Sequence, residues 1–375
     1  MAARTVLLVS GRVLHYRVSV YNYFARRFRD QGWDFKVLTN QLQAGNQRPV
    51  EFDVQEIPFQ IGRYRAAIEK LNPDVVILFV HLKELIVWPI LHWLKWKRVP
   101  VIYWSKGVNL DRPQSRWRAC LSNYVHSLCD GIILYSANEM SYLLKKHQAK
   151  AFPANNTINF DDVPSIPESR ESIKASLGFP FQKFVLFVGT MGLDGERKKV
   201  KHLIEVFRGI DRSDIGAVIV GKGMPEELKS RINPKNTIYL GEIYDPQDIK
   251  VSRLFKAADL FVVPGHVGLG LNQAFYWSLP VITEQGRQPP EIHCLKSGSN
   301  GFLVPEDDLE QLRDRILYLL DNDAVRTEFS RQARADVLKH ASTEGMFQGF
   351  WNAVTFVSGS APLQKGFSAS CTEPA

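Results

Sequence analysis

Short, unbroken apolar runs alternate with helix-period stretches along almost the whole chain, and this alternation limits the fold more than any other feature. Residues 75–80, 99–104 and 131–135 are apolar throughout, and 5–10 and 35–39 are mostly so. Strands of a parallel sheet, covered on both faces, need that pattern. Between them, residues 18–31, 63–71 and 117–129 carry helical spacing. Strand–helix–strand repetition of this kind predicts a doubly wound parallel sheet.

The rhythm breaks at 153–168, PANNTINFDDVPSIPE, with Pro153, Pro164 and Pro167. It resumes with a helix over 169–177, strands over 184–188, 216–220, 237–240, 260–263 and 280–283, and helices over 200–207, 225–231, 246–257, 272–277, 309–320 and 322–340. At 375 residues the chain is long enough for two cores. The expected organisation is α/β: an N-terminal Rossmann-like domain at 1–152, a linker at 153–168 and a C-terminal Rossmann-like domain at 169–344. An aromatic helix at 345–357 is expected to pack back on the first domain, and 358–375 to form a disordered tail. Ligand then belongs in the cleft, outside the carboxyl ends of the strands.

The formal net charge of +8 favours an anionic partner. Between Lys83 and Arg118 eight Lys/Arg face two acids, with Trp88, Trp93, Trp96, Trp104 and Trp117 interleaved. Indoles sit at headgroup level and basic groups meet anionic lipid, so an anionic membrane surface is one expected partner. Core placement of several of these tryptophans is the alternative. The segment matches no nucleic-acid module, and no nucleic-acid partner is expected. Four scattered cysteines give no metal spacing and fit a reducing compartment. Neither a signal peptide nor a membrane-spanning run is read, so the expected location is cytoplasmic, peripheral at the inner face of the cell membrane.

The strongest chemical signal is 261–283, FVVPGHVGLGLNQAFYWSLPVIT. A strand ends at Pro264, a turn carries Gly265, Gly268 and Gly270, and a helix follows. Glycines let backbone approach a bulky anion, and a helix start offers unpaired N–H groups. A diphosphate cradle and a purely structural turn both satisfy the glycines alone.

This stretch resembles the donor-site signature of retaining GT-B glycosyltransferases of family four, also called glycosyltransferase group 1. In that signature two glutamates, separated by seven residues, flank a Gly-rich turn before a G-x-P-V-I strand. Here Ser278-Leu279-Pro280-Val281-Ile282 matches the strand, with Ser278 in the glycine's place. Gly265 and Gln273 stand where the glutamates would be. The resemblance is to a subgroup with a P-G-x-V-G-L turn, here Pro264 to Leu269. It implies donor contacts from His266, Val267, Gly268, Leu269, Gly270 and Gln273, with the Gln273 amide on a ribose and His266 in place of the missing sugar contact.

Further stretches extend the resemblance. Gly189 closes the first strand of the second half, and Arg197 and Lys198 match the cationic pair placed on the donor diphosphate. Thr190 stands where the family has an arginine. Gly221 in Ile219–Gly223 and Ile243 in Leu240–Tyr244 fall on the loops that hold the nucleobase. In the first half, Gly11 and Arg17 match a glycine-bearing loop and Y-R facing the cleft, and Lys106 and Asn109 fall on a W-G-H-G-x-N motif, with lysine in the histidine's place. Glu291, in Pro290-Glu291-Ile292, is an acid near the expected sugar pocket.

The resemblance implies a retaining hexosyltransferase moving sugar from a nucleoside diphosphate donor to a glycan or lipid-linked acceptor in cell-envelope polysaccharide or lipopolysaccharide synthesis. No D-x-D metal motif is recognised and no cofactor is expected, so Lys106, Arg197 and Lys198 are the candidate catalytic groups, stabilising the leaving diphosphate. The alternatives are a nucleotide-sugar 2-epimerase on the same fold and a non-catalytic nucleotide-binding scaffold.

Overall fold

The computed structural model describes residues 3–43, 49–105, 116–191, 195–245 and 247–359. Two parallel sheets account for the strand pattern. The first contains β1 (Arg4–Val13), β2 (Trp33–Leu42), β3 (Asp53–Glu56), β4 (Val75–Phe79), β5 (Val101–Ser105), β6 (Gly131–Leu134) and β7 (Ala151–Pro153), in the order β3-β2-β1-β4-β5-β6-β7. The second contains β8 (Lys183–Val188), β9 (Ile215–Val220), β10 (Thr237–Gly241), β11 (Leu260–Val262), β12 (Val281–Glu284) and β13 (Gly301–Val304), in the order β10-β9-β8-β11-β12-β13. Every recorded strand pair in both sheets is parallel. Strand order reverses between β1 and β4, and again between β8 and β11. The crevices at those two points are where such folds bind ligands.

The differences from the sequence reading have physical causes. β3 is an edge strand whose residues are mostly exposed, so it carries no apolar run. β7 is three residues long and ends in Pro153, the expected start of the linker. The helix Val87–Trp96 was hidden by Pro89, which sits in its first turn, where a missing N–H costs nothing. β1 does not stop at Ser10. It stays paired with β2 through Val13↔Leu42, so Gly11 is strand, not loop, and the helix His15–Asp30 begins two residues later.

The final helix, Thr343–Ser358, inserts Met346, Phe347, Phe350, Ala353 and Val354 into one core face of the first sheet, beside Phe24, Phe28 and Trp104. Ser342 caps it by accepting from the Gly345 N–H at 3.0 Å. Its first turn is clamped from the first helix: Arg27 donates to both Glu344 oxygens at 2.9 Å, and Tyr23 donates to the same carboxylate at 2.6 Å. The chain thus crosses from the second sheet back onto the first. Residues 360–375 lie outside the described residues, as do Lys106 and Asn109.

Candidate functional site

The β8/β11 crevice is built by zipping two loops together through backbone. The turn Gly195–Lys198 follows β8, and the glycine turn follows β11. Gly265 N–H donates to the Lys198 carbonyl at 3.0 Å, and His266 N–H to the Arg197 carbonyl at 2.7 Å. A Cβ on Gly265 would lie 1.9 Å from the Arg197 carbonyl oxygen. The position that holds the family's first glutamate is therefore closed to any side chain by this close approach.

Lys198 lies across the crevice. Its stem passes over Gly189, where a Cβ would sit 2.4 Å from Lys198 Cδ. Its ammonium donates to the carbonyls of His266 at 3.1 Å and Val267 at 3.4 Å. Burial, with the adjacent Arg197 charge, pushes Lys198 down to about 8; Glu291 opposes that shift. Arg197 is exposed and makes no side-chain hydrogen bond or ion pair among the described residues. The expected pair therefore stands together, one cation half-enclosed and one exposed.

His266, Gly268, Leu269 and Gly270 are half-buried along the same crevice, and Gly268 has φ +60°. Val267 is fully buried, so its side chain supports the turn from the core. Gln273 is half-buried on the helix Gly270–Tyr276. That helix has only seven residues, so its dipole adds little to the cations. Ser278 has φ +59°, the left-handed backbone that glycine provides in the family pattern. On the other side, Gly221 has φ +140° and donates to the Gly241 carbonyl at 2.8 Å, while Tyr239 donates to Gly221 O at 2.9 Å. Ile243 is half-buried against the core at the end of β10.

Sequence reasoning missed Gln288, whose side chain fixes the glycine turn. It donates to the Gly265 carbonyl at 3.0 Å, Thr283 Oγ1 at 2.9 Å and the Glu284 carbonyl at 2.8 Å, and accepts from Val267 N–H at 3.2 Å. No motif flags a lone glutamine in a loop. Asn156 was also missed. It accepts from Arg17 Nη2 at 2.7 Å, donates to Glu291 Oε1, and through its carbonyl accepts from Asn272 Nδ2 at 2.9 Å. One linker residue therefore joins the first helix and the turn Pro290–Cys294 through its side chain, and the helix after the glycine turn through its backbone carbonyl. Arg17 is buried against the rings of Trp104, Tyr16 and Tyr135, and its Nη1 is buried without a partner among the described residues. Glu291 is buried too, so both are held inside the wall and not in the open cleft. In the β1/β4 crevice, Glu84 places a carboxylate oxygen 3.0 Å from where a Gly11 Cβ would be.

His202, Glu284 and Asp307 bring three potential metal ligand atoms within 4.8 Å. Lys199 already donates to Glu284 at 3.0 Å, Glu306 at 2.9 Å and Asp307 at 2.6 Å, so the chain supplies its own cation there. One triplet, Asp321-Asn322-Asp323, does have the D-x-D spelling, which corrects the reading that the chain lacks one. It joins two helices at the surface, with Asp321 on Arg212 and Asp323 on Lys183 and Arg326, and takes no part in either crevice.

Residues 182–322 match the family described as "Glycosyl transferases group 1". The phosphatidyl-myo-inositol mannosyltransferase of Mycobacterium leprae is 27% identical over 183 residues, 46% of this chain and 45% of that protein. The poly(ribitol-phosphate) alpha-N-acetylglucosaminyltransferase of Staphylococcus aureus is 23% identical over 227 residues, 59% of this chain and 45% of its own. The matches thus span about half the length of these curated relatives. The crystal structure of Anabaena HepE in complex with UDP superposes with a TM-score of 0.75 at 15% identity, covering 94% of this chain and 99% of that one. The protein has the GT-B fold, with two parallel-sheet α/β domains, and the stretch similar to the glycosyl transferases group 1 family contains the β8/β11 crevice.

Proposed function

We propose that the protein is a glycosyltransferase that moves a hexose from a nucleoside diphosphate sugar to a hydroxyl of a glycan or lipid-linked acceptor, with retention and with fixed cations in place of a metal. The observation that carries this reading is the pair Arg197 and Lys198, zipped to the glycine turn at the strand-order reversal of the second sheet. Lys198 neutralises the diphosphate and, as the glycosidic bond breaks, the charge gathering on the leaving phosphate. Arg197 is free to close on the same anion bidentately. The departing phosphate takes the acceptor proton on the face it leaves, which matches a site where no carboxylate stands at Gly265. Anabaena HepE was solved with UDP in a chain of the same fold.

Gly265 and Gln273 also favour a second reading, a nucleotide-binding scaffold without turnover, because Gly265 admits no acid. The two separate in one assay. The enzyme reading predicts release of nucleoside diphosphate from one member of a panel of UDP-, GDP-, ADP- and dTDP-hexoses, unaffected by a chelator. Nucleotide binding without release from any donor, with glycan and lipid acceptors supplied, would leave the scaffold.

A further inference from the structure

The structure sorts the tryptophans of the basic segment. Trp93 and Trp104 are core, and Trp88 is half-buried with its Nε1–H donating to the Leu82 carbonyl at 3.3 Å. Trp96 is 74% exposed and Trp117 85% exposed, and Leu85, just before the helix Val87–Trp96, is 82% exposed. Leu85, Trp88, His92 and Trp96 follow helical spacing along one stripe. Trp117, Leu121 and Tyr124 form a second stripe on the helix Arg116–Leu128, and Leu121 and Tyr124 are exposed as well. The stripes meet: Trp88 stacks on Tyr124 at 6.3 Å, and His92 Nε2 lies 2.8 Å from the Tyr124 hydroxyl. Two adjacent helices therefore turn a continuous aromatic face to solvent, which an ordinary α/β domain does not do.

We propose that this two-helix face docks on an anionic lipid surface, with Leu85, Trp96, Trp117 and Leu121 at headgroup level. Charge selects that occupant. Lys83, Lys95, Lys97, Arg98, Arg116 and Arg118 lie in 83–98 and 116–128, against Glu84 alone. Lys95 is paired with Asp130 at 2.7 Å and Lys97 reaches Glu69 at 3.6 Å. Lys83 and Arg98 are exposed and have no acidic partner among the described residues. A second copy of the chain would bring like charges together across this face, whereas a bilayer offers both a negative plane for the cations and an interface for the indoles. Among the described residues no helix is long and apolar enough to cross a membrane, so the contact would be peripheral. The face begins at Leu85, one residue from the Glu84 carboxylate that lies against Gly11. Docking would therefore present the β1/β4 crevice to molecules held in the bilayer. The inference needs no nucleotide and stands apart from the transferase reading.

The test is vesicle co-sedimentation of the full chain without nucleotide. Wild type should sediment with phosphatidylcholine vesicles containing about 30% phosphatidylglycerol, remain in solution with phosphatidylcholine alone, and be released by high salt. Trp96→Ser/Trp117→Ser/Leu121→Ser, which replaces exposed side chains and none of the buried core, should weaken binding at least about tenfold, as should Lys83→Glu/Arg98→Glu. Circular dichroism of both variants checks that they fold, independently of any nucleotide. Wild type that ignores both vesicle types, or a folded triple variant that sediments like wild type, would overturn the proposal. So would a dimer that the same substitutions dissolve without any vesicle binding.

Discussion

Each wall of the cleft holds one enclosed cation, and the two are held in opposite ways. Arg17, in the first wall, is wrapped by three aromatic rings and tied through Asn156 to Glu291, which leaves one unpartnered nitrogen. Lys198, in the second, donates among the described residues only to the carbonyls of His266 and Val267, and burial lowers its proton affinity. The first cation is built into the fold. The second is held at a cost that an incoming diphosphate would relieve. A stable wall and a strained wall are what a cleft needs if one side positions and the other binds an anion.

The largest effect should come from breaking the locked cation. Arg17→Met leaves Asn156 and Glu291 buried without their charge partner, and stability should fall by about 3 kcal/mol or more. Thermal melting reads this as a drop of several degrees. A melting point unchanged from wild type would mean that Arg17 is not structural and that the contrast is wrong.

Lys198 should behave in the reverse sense. Its folded pKa of about 8 lies below the ordinary lysine value of 10.5, so between those values the unfolded chain holds the proton and the native chain does not. Stability contributed by this group is then present above pH 10.5 and lost as pH falls through 8, a difference of about 3 kcal/mol. Lys198→Met should therefore melt no lower than wild type at pH 7. A bound diphosphate favours the charged form, so nucleotide affinity should fall above pH 8 by up to about tenfold per unit. A pH-independent affinity from 7 to 9.5 would show that Lys198 does not face the anion.

Gly265→Ala tests the backbone zipper, because its Cβ would sit 1.9 Å from a carbonyl that cannot yield without moving Arg197. Nucleotide binding should weaken on the order of tenfold while the far-ultraviolet spectrum stays native. Ser278→Gly tests the smallest difference. Its φ of +59° costs a serine about 1 kcal/mol, so the variant should melt slightly higher with unchanged nucleotide binding.

The second wall was legible in the sequence because its parts are contiguous. Glycine turn, cationic pair and terminal strand each sit in a short local run, and even Ser278 keeps the glycine's backbone conformation. The first wall was less legible because its contacts are long-range. Arg17 meets Asn156 across 139 residues, and Asn156 meets Glu291 across 135. No spacing rule connects them. Gln288 escaped because no motif marks a lone loop glutamine, and β3 escaped because an edge strand with one covered side needs few apolar residues. The exposed tryptophans were visible as a composition bias, but only helix packing separates Trp96 and Trp117 from Trp93 and Trp104.

Binding of a nucleoside diphosphate through Lys198 in the β8/β11 crevice, as proposed, has a direct readout. Calorimetric titration with UDP, GDP, ADP and dTDP, with Lys198→Met beside wild type, tests it most directly. One nucleotide should bind, with affinity weakened roughly 10–100-fold in the variant and the fold intact. Binding of none, or equal binding by wild type and variant, would contradict it.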